Sequence, residues 1–166
     1  MASGELWEKG FVTGLISSAC FLPVLSRGAL QNFESLESKS PCDNVLLEYR
    51  LGLELHQRRL VEKIYPLFIG EKNPTTNLYS KYSFVGHEAS HPQHMRNEQV
   101  VSVEVKLREH LRNCGMGLPL DDDFTTPQVL QNICKYQGAF VTGDLESSLK
   151  ATVRDVCSLF QSNYSI

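Results

Sequence analysis

What the chain lacks excludes several classes of protein. No apolar run approaches the roughly 20 residues a membrane-spanning helix needs, and no basic start with an apolar core marks a signal peptide. The five cysteines, at 20, 42, 114, 134 and 157, are odd in number and form no CxxC pair. That argues against a zinc ribbon or a secreted disulfide framework and favours reduced thiols. The net charge is only -3. Basic residues stand among acidic ones, as Arg58 and Arg59 do between Glu54 and Glu62, so nothing marks a surface for nucleic acid or an anionic membrane. Neither GxxxxGK nor GxGxxG occurs, which removes the common phosphate-cradling loops. There is no internal repeat and no low-complexity stretch. These absences lead to the expectation of a soluble cytoplasmic protein.

What is present suits one ordinary core. The 166 residues are 42% hydrophobic and 21% charged, enough for one domain. The most informative segment is Pro41–Glu54, PCDNVLLEYRLGLE. Leu47, Leu51 and Leu55 recur every fourth residue, with Leu46 and Leu53 beside them, so a helix is expected from Asp43 or Asn44 to about Leu60. Arg58 and Arg59 are expected in its last turn, where cations suit the dipole. Short apolar runs flank it at 19–25 and 64–69, as expected of strands covered on both faces. Pro23 and Pro66 each remove one ladder donor. Strand, loop, helix, strand is one unit of a parallel α/β sheet. It places Glu48 early in its helix, near the carboxyl end of the strands where such folds bind ligands.

The remainder reads mostly as helix. Trp7, Phe11 and Leu15 give a helix over 5–18. Periodicity vanishes from Glu71 to Gln99, apart from a short element near Leu78–Phe84. Val103, Leu107 and Leu111 give a helix over 100–112, stopped by Gly115 or Gly117. Thr126 before Pro127 reads as an N-cap with proline in the first turn, and Gly138 as the stop of that helix. Asp144 caps a last helix whose apolar stripe is Leu145, Leu149, Val153, Val156 and Phe160.

The residues from Trp7 to Phe11, from Phe21 to Leu30 (FLPVLSRGAL) and from Cys42 to Leu51 (CDNVLLEYRL) resemble the Toll/interleukin-1 receptor (TIR) domain, especially forms from lower eukaryotes. The run Ile64–Gly70 resembles its next strand, and Ser102–Lys106 its closing helix. The likeness covers about residues 4–113, with 118–166 as a C-terminal helical extension. It implies a flavodoxin-like three-layer fold: a parallel sheet with helices on both faces, here without the family's first two strands and first helix. The missing first strand would lie beside residues 20–25, leaving that strand as a sheet edge able to pair with another chain.

The resemblance also implies a chemistry. Many TIR domains cleave the nicotinamide–ribose bond of NAD+, with a helix glutamate at the position matching Glu48. A carboxylate there stabilises the positive charge that develops on the ribose. NAD+ would be a substrate; no cofactor and no metal are implied. Trp7, by stacking on a base, and Ser26 and Arg27, by hydrogen bonds to ribose or pyrophosphate, are the nucleotide-binding candidates. Gly52, one turn after Glu48, is expected to leave space beside it. Asn44 stands where catalytic members often carry an aromatic. His87, His91 and His94 with Glu88 read as a solvated loop. The implied partners are other TIR domains, in self-association or mixed pairs. The resemblance implies a role in intracellular signalling or immunity; the alternatives are a non-catalytic adaptor module working through TIR–TIR contacts and an inactive truncated fragment. Without the resemblance, Glu48 reads as a solvated helix residue favoured by the dipole, and Ser26 and Arg27 as turn chemistry.

Overall fold

A computed structural model describes residues 3–80, 95–120 and 124–161, with side chains from Gly10 onward. Helix α1 (Ser3–Ile16) leads into strands β1 (Cys20–Phe21) and β2 (Val24–Ser26). The single-turn helix α2 (Arg27–Leu30) follows, then the central helix α3 (Asn44–Gln57). Strands β3 (Lys63–Ile64) and β4 (Leu67–Ile69) precede helices α4 (Val101–Asn113) and α5 (Thr126–Cys134). Strand β5 (Ala139–Val141) and helix α6 (Leu145–Gln161) come last. The protein is mixed α/β, and its named strands all pair in parallel.

Pro23, whose carbonyl faces the partner strand, explains why both expected strands are split; Pro66 faces Ala139 on the β5 side. β1 pairs with β3 and β2 with β4, in one offset that runs from Cys20–Lys63 to Ser26–Ile69. Two bonds bridge the gap: Tyr65 N–H donates to Phe21 O and Leu67 N–H to Pro23 O, both at 2.9 Å. Each pair is therefore one strand in space, interrupted where proline has no N–H to give. β5 pairs with β4 on the other side, which leaves β2 at one edge of the order β2-β4-β5.

The two sheet faces have different covers. Phe21, Leu25 and Phe68 belong to the main core, with residues of α1, α3, α4 and α5. Tyr65, Leu67 and Val141 are buried outside that cluster, on the side where Tyr65 Oη donates to Asp155 of α6 at 3.3 Å. Alternation along a strand accounts for the division.

Several expectations are corrected. α3 stops at Gln57 rather than near Leu60: Arg58 is its C-cap and Arg59 has φ 61°. Arg58 serves an ion pair with Glu54 instead of the helix end. The cap of α5 is Thr125, one residue before the one expected; its N–H donates to Gln128 Oε1 at 2.8 Å. Gly138 does not stop α5 but opens β5, a strand absent from the sequence reading. Of the expected element near Leu78–Phe84, Tyr79 forms isolated bridges to Lys72 and Gly143, and 81–84 lie outside the described residues. Of the expected α6 stripe, Val156 and Phe160 are half-buried, but Leu145, Leu149 and Val153 are exposed at 37, 39 and 61%, while Thr152 is buried.

Candidate functional site around Glu48

α3 is wrapped almost completely. Asp43 caps it, its carboxylate accepting from the N–H groups of Val45 at 3.0 Å and Leu46 at 2.9 Å. From Leu46 to Leu55 every residue is buried except Glu48, which is half-buried. The line Asn44, Glu48, Gly52 shares one face and runs from solvent to core: Asn44 is exposed and Gly52 buried. The expected space at Gly52 is filled. A Cβ built there would overlap the Phe21 ring, which packs edge-on to Tyr49 at 6.4 Å between centroids. Glu48 thus lies one turn before a glycine closed off by Phe21, and is the one residue from Leu46 to Leu55 that is not fully buried.

The electrostatics follow from that position. Burial pushes the Glu48 carboxyl above its ordinary value, because the charged form loses water without a compensating cation. The Glu48 side chain has no hydrogen bond or ion pair among the described residues. The other candidates are engaged elsewhere. Ser26 Oγ accepts from Ala29 N–H at 3.2 Å and caps α2. Arg27 is exposed and pairs with Glu71, which follows β4; that hydrogen bond raises its pKa. No bond joins either residue to Glu48. Trp7 lies in α1 by its backbone, and its side chain is outside the described residues.

Sequence reasoning missed the charges on the opposite side of α3. Arg50 and Glu54 are both fully buried. Arg50 forms a fork with Glu104 of α4, Nε at 2.8 Å and Nη2 at 3.2 Å, and its Cζ lies 4.8 Å from the Phe124 ring centroid. Glu54 accepts from Arg58 Nε at 2.7 Å and from Leu120 N–H at 3.0 Å. Arg58 also donates to Leu118 O. The available signal was faint: charged residues inside an otherwise apolar helical run.

Other chemistry is sparse. Among the described residues no cluster of three or more His, Cys, Asp or Glu is placed to hold a metal; His87, Glu88, His91 and His94 lie outside them. The five cysteines form no disulfide. Burial pushes the Cys134 thiol up to about 11, which keeps it protonated and unreactive at neutral pH. No described helix is long and apolar enough to cross a membrane. No protein-family model, curated protein or solved structure matches the chain.

Proposed function

We propose that this chain is a TIR-like signalling domain of flavodoxin-like type that releases nicotinamide from NAD+. The observation that carries the reading is Glu48: a half-buried carboxylate, without an ion-pair partner among the described residues, and the one residue from Leu46 to Leu55 that is not fully buried. In the proposed reaction the C1′–N bond of the nicotinamide riboside breaks, and its electron pair leaves with the nicotinamide nitrogen. The ionised Glu48 carboxylate stabilises the positive ribose that remains. Water adds at C1′ and loses a proton to solvent, giving ADP-ribose. An internal hydroxyl in place of water gives a cyclic product. Trp7, Ser26 and Arg27 are the proposed contacts to the nucleotide.

The proposed setting is the cytoplasm, where the free cysteines stay reduced. Proposed partners are other TIR domains, including further copies of this chain. A non-catalytic adaptor is the second reading, favoured by the position of β2 at the sheet edge.

The test is nicotinamide release from NAD+ by the purified chain at high concentration, beside Glu48→Gln. Release that disappears in the variant supports the reading. Release that survives it removes Glu48 from the chemistry, and no release at any concentration leaves the adaptor. Because Glu48 must be ionised, kcat/KM should fall as pH drops through its raised pKa and level off above it.

A further inference from the structure

The β1–β2 strand holds α3 at two points beside Glu48. The first contact is polar. Pro23 O accepts from Leu67 N–H across the ladder, so by alternation Val24 O points the other way, out of the edge that β2 forms. Tyr49 Oη reaches that carbonyl and donates to it at 2.6 Å. The Tyr49 ring is 1% exposed. It stands edge-on to Phe21, at 6.4 Å between centroids, and to Phe33, at 6.1 Å. Such ring pairs favour one geometry over others, which directs the hydroxyl to the carbonyl.

The second contact is steric. The Phe21 ring fills the hollow at Gly52, where a Cβ would overlap it. Seen down the helix, Gly52 lies about 40° from Glu48 and Tyr49 about 100° from it, in the same sense. Both contacts therefore act on one flank of α3, and both come from residues 21–24 of one strand. A helix held at two such points neither rolls nor lifts there without losing one of them.

Glu48 is where that restraint matters most. Along its line the depth changes quickly: Asn44 is exposed, Glu48 half-buried and Gly52 buried. One turn of helix, about 5.4 Å, separates each from the next. A small displacement of the first half of α3 would thus carry the carboxylate into water. Burial is the cause of its raised pKa, so the protonation of Glu48 depends on depth, and depth depends on what holds the helix.

We infer that Tyr49 is a positioning residue for Glu48: its hydrogen bond to the Val24 carbonyl, backed by Phe21 in the Gly52 hollow, sets the depth at which the carboxylate is held. The inference rests on the reading of Glu48 as the functional carboxylate. Tyr49 is buried and its hydroxyl is engaged with the strand, so it acts through Glu48 and not on a substrate. A purely structural tie would alter stability and leave the titration of Glu48 unchanged; a positioning role alters both.

The experiment is an NMR titration of the whole chain carrying 13C-labelled glutamate carboxyls, in which the Glu48 signal is the one lost in Glu48→Gln. Tyr49→Phe keeps the ring and removes only the hydroxyl. Its Glu48 midpoint should move down from the raised value toward the ordinary one, as water reaches the carboxylate. Tyr65→Phe is the control: it removes a hydroxyl that donates to Asp155 on the other face of the sheet and should leave Glu48 unchanged. An unmoved midpoint in folded Tyr49→Phe overturns the inference. An equal shift in both variants marks general loosening and overturns it too. If Tyr49→Phe does not fold, the same shift, smaller, is read in Phe33→Leu, which removes one ring beside Tyr49 and keeps the hydroxyl; an unmoved midpoint there is equally fatal. Where nicotinamide is released, kcat/KM of Tyr49→Phe should fall about tenfold or more, with the midpoint of its pH profile moved in the same direction. No release by the parent chain overturns the NAD+ reading alone, because the titration judges Tyr49 without it.

Discussion

Replacing Glu54 by alanine should destabilise the protein far more than removing a surface charge. Glu54 is fully buried, and its partner Arg58 has a side chain 16% exposed. Truncation leaves the guanidinium without its carboxylate and Leu120 N–H without its acceptor. Breaking a buried pair by removing one member costs about 3–5 kcal/mol. Arg58 retains some water and Leu120 is itself exposed, so the lower end, about 3 kcal/mol, applies. That is a large share of the roughly 5–15 kcal/mol by which domains are stable. At about 2–4 °C per kcal/mol in a chain of this size, the midpoint should fall by about 6–12 °C. The assay is thermal and urea denaturation of Glu54→Ala, Arg58→Ala and the double variant. The double variant should lose much less than the sum, because the singles damage one contact. Arg27→Ala is the internal control: its pair with Glu71 is exposed on both sides at 83 and 66%, so solvent screens it and the midpoint should stay where it is. A loss under about 1 kcal/mol for Glu54→Ala, or simple additivity with Arg58→Ala, would refute the reasoning.

Two further predictions concern stability. Gly138→Ala places a Cβ onto the Pro66 carbonyl, which is backbone and cannot rotate away; the expected cost is about 1–3 kcal/mol, read as a lower urea midpoint and faster amide exchange at Ala139, whose N–H donates to Pro66 O. For Glu48 the pKa is raised by burial, so the native state holds its proton more tightly than the unfolded chain. Its favourable contribution is complete below the unfolded pKa and is lost as pH rises through the raised native one. Glu48→Gln should therefore gain stability relative to the parent on going from acid to neutral pH; an equal difference at both, measured by urea denaturation, would contradict the cause given for the shift.

The parts of the fold that were legible are those whose signal lies in a few adjacent residues. Leu47, Leu51 and Leu55 mark α3 by period, and all are at most 1% exposed. The same period marks α4, where Val103, Leu107 and Leu111 are buried. β5 was hidden because its run, Ala139–Val141, is too short to show alternation. What makes it a strand is remote: it pairs with β4, and Gly138 admits the Pro66 carbonyl. Arg50 and Glu54 were hidden for a different reason. Charges on a helix normally mark the solvent side, but on this side α3 is covered and these charges meet partners on α4 and in the segment at 118–120.

Glu48 and the α6 stripe invert that rule in opposite senses. A glutamate near a helix start reads as solvated, yet packing holds Glu48 half-buried with no cation beside it among the described residues. Leu145, Leu149, Val153, Val156 and Phe160 read as an inward stripe, yet the first three are exposed, Val156 and Phe160 only half-buried, and Thr152 takes the fully buried place. Residue type predicts burial only when a neighbour exists to receive it, and that neighbour is set by tertiary contacts. A carboxylate held partly from water without a partner raises the free energy of its charged form. An apolar stripe held in water also carries a free-energy cost. Both departures are therefore places where binding can return stability: a developing positive charge would stabilise the carboxylate, and a second apolar surface would cover the stripe. A ligand that suppresses the raised Glu48 pKa would show that the first of them is used.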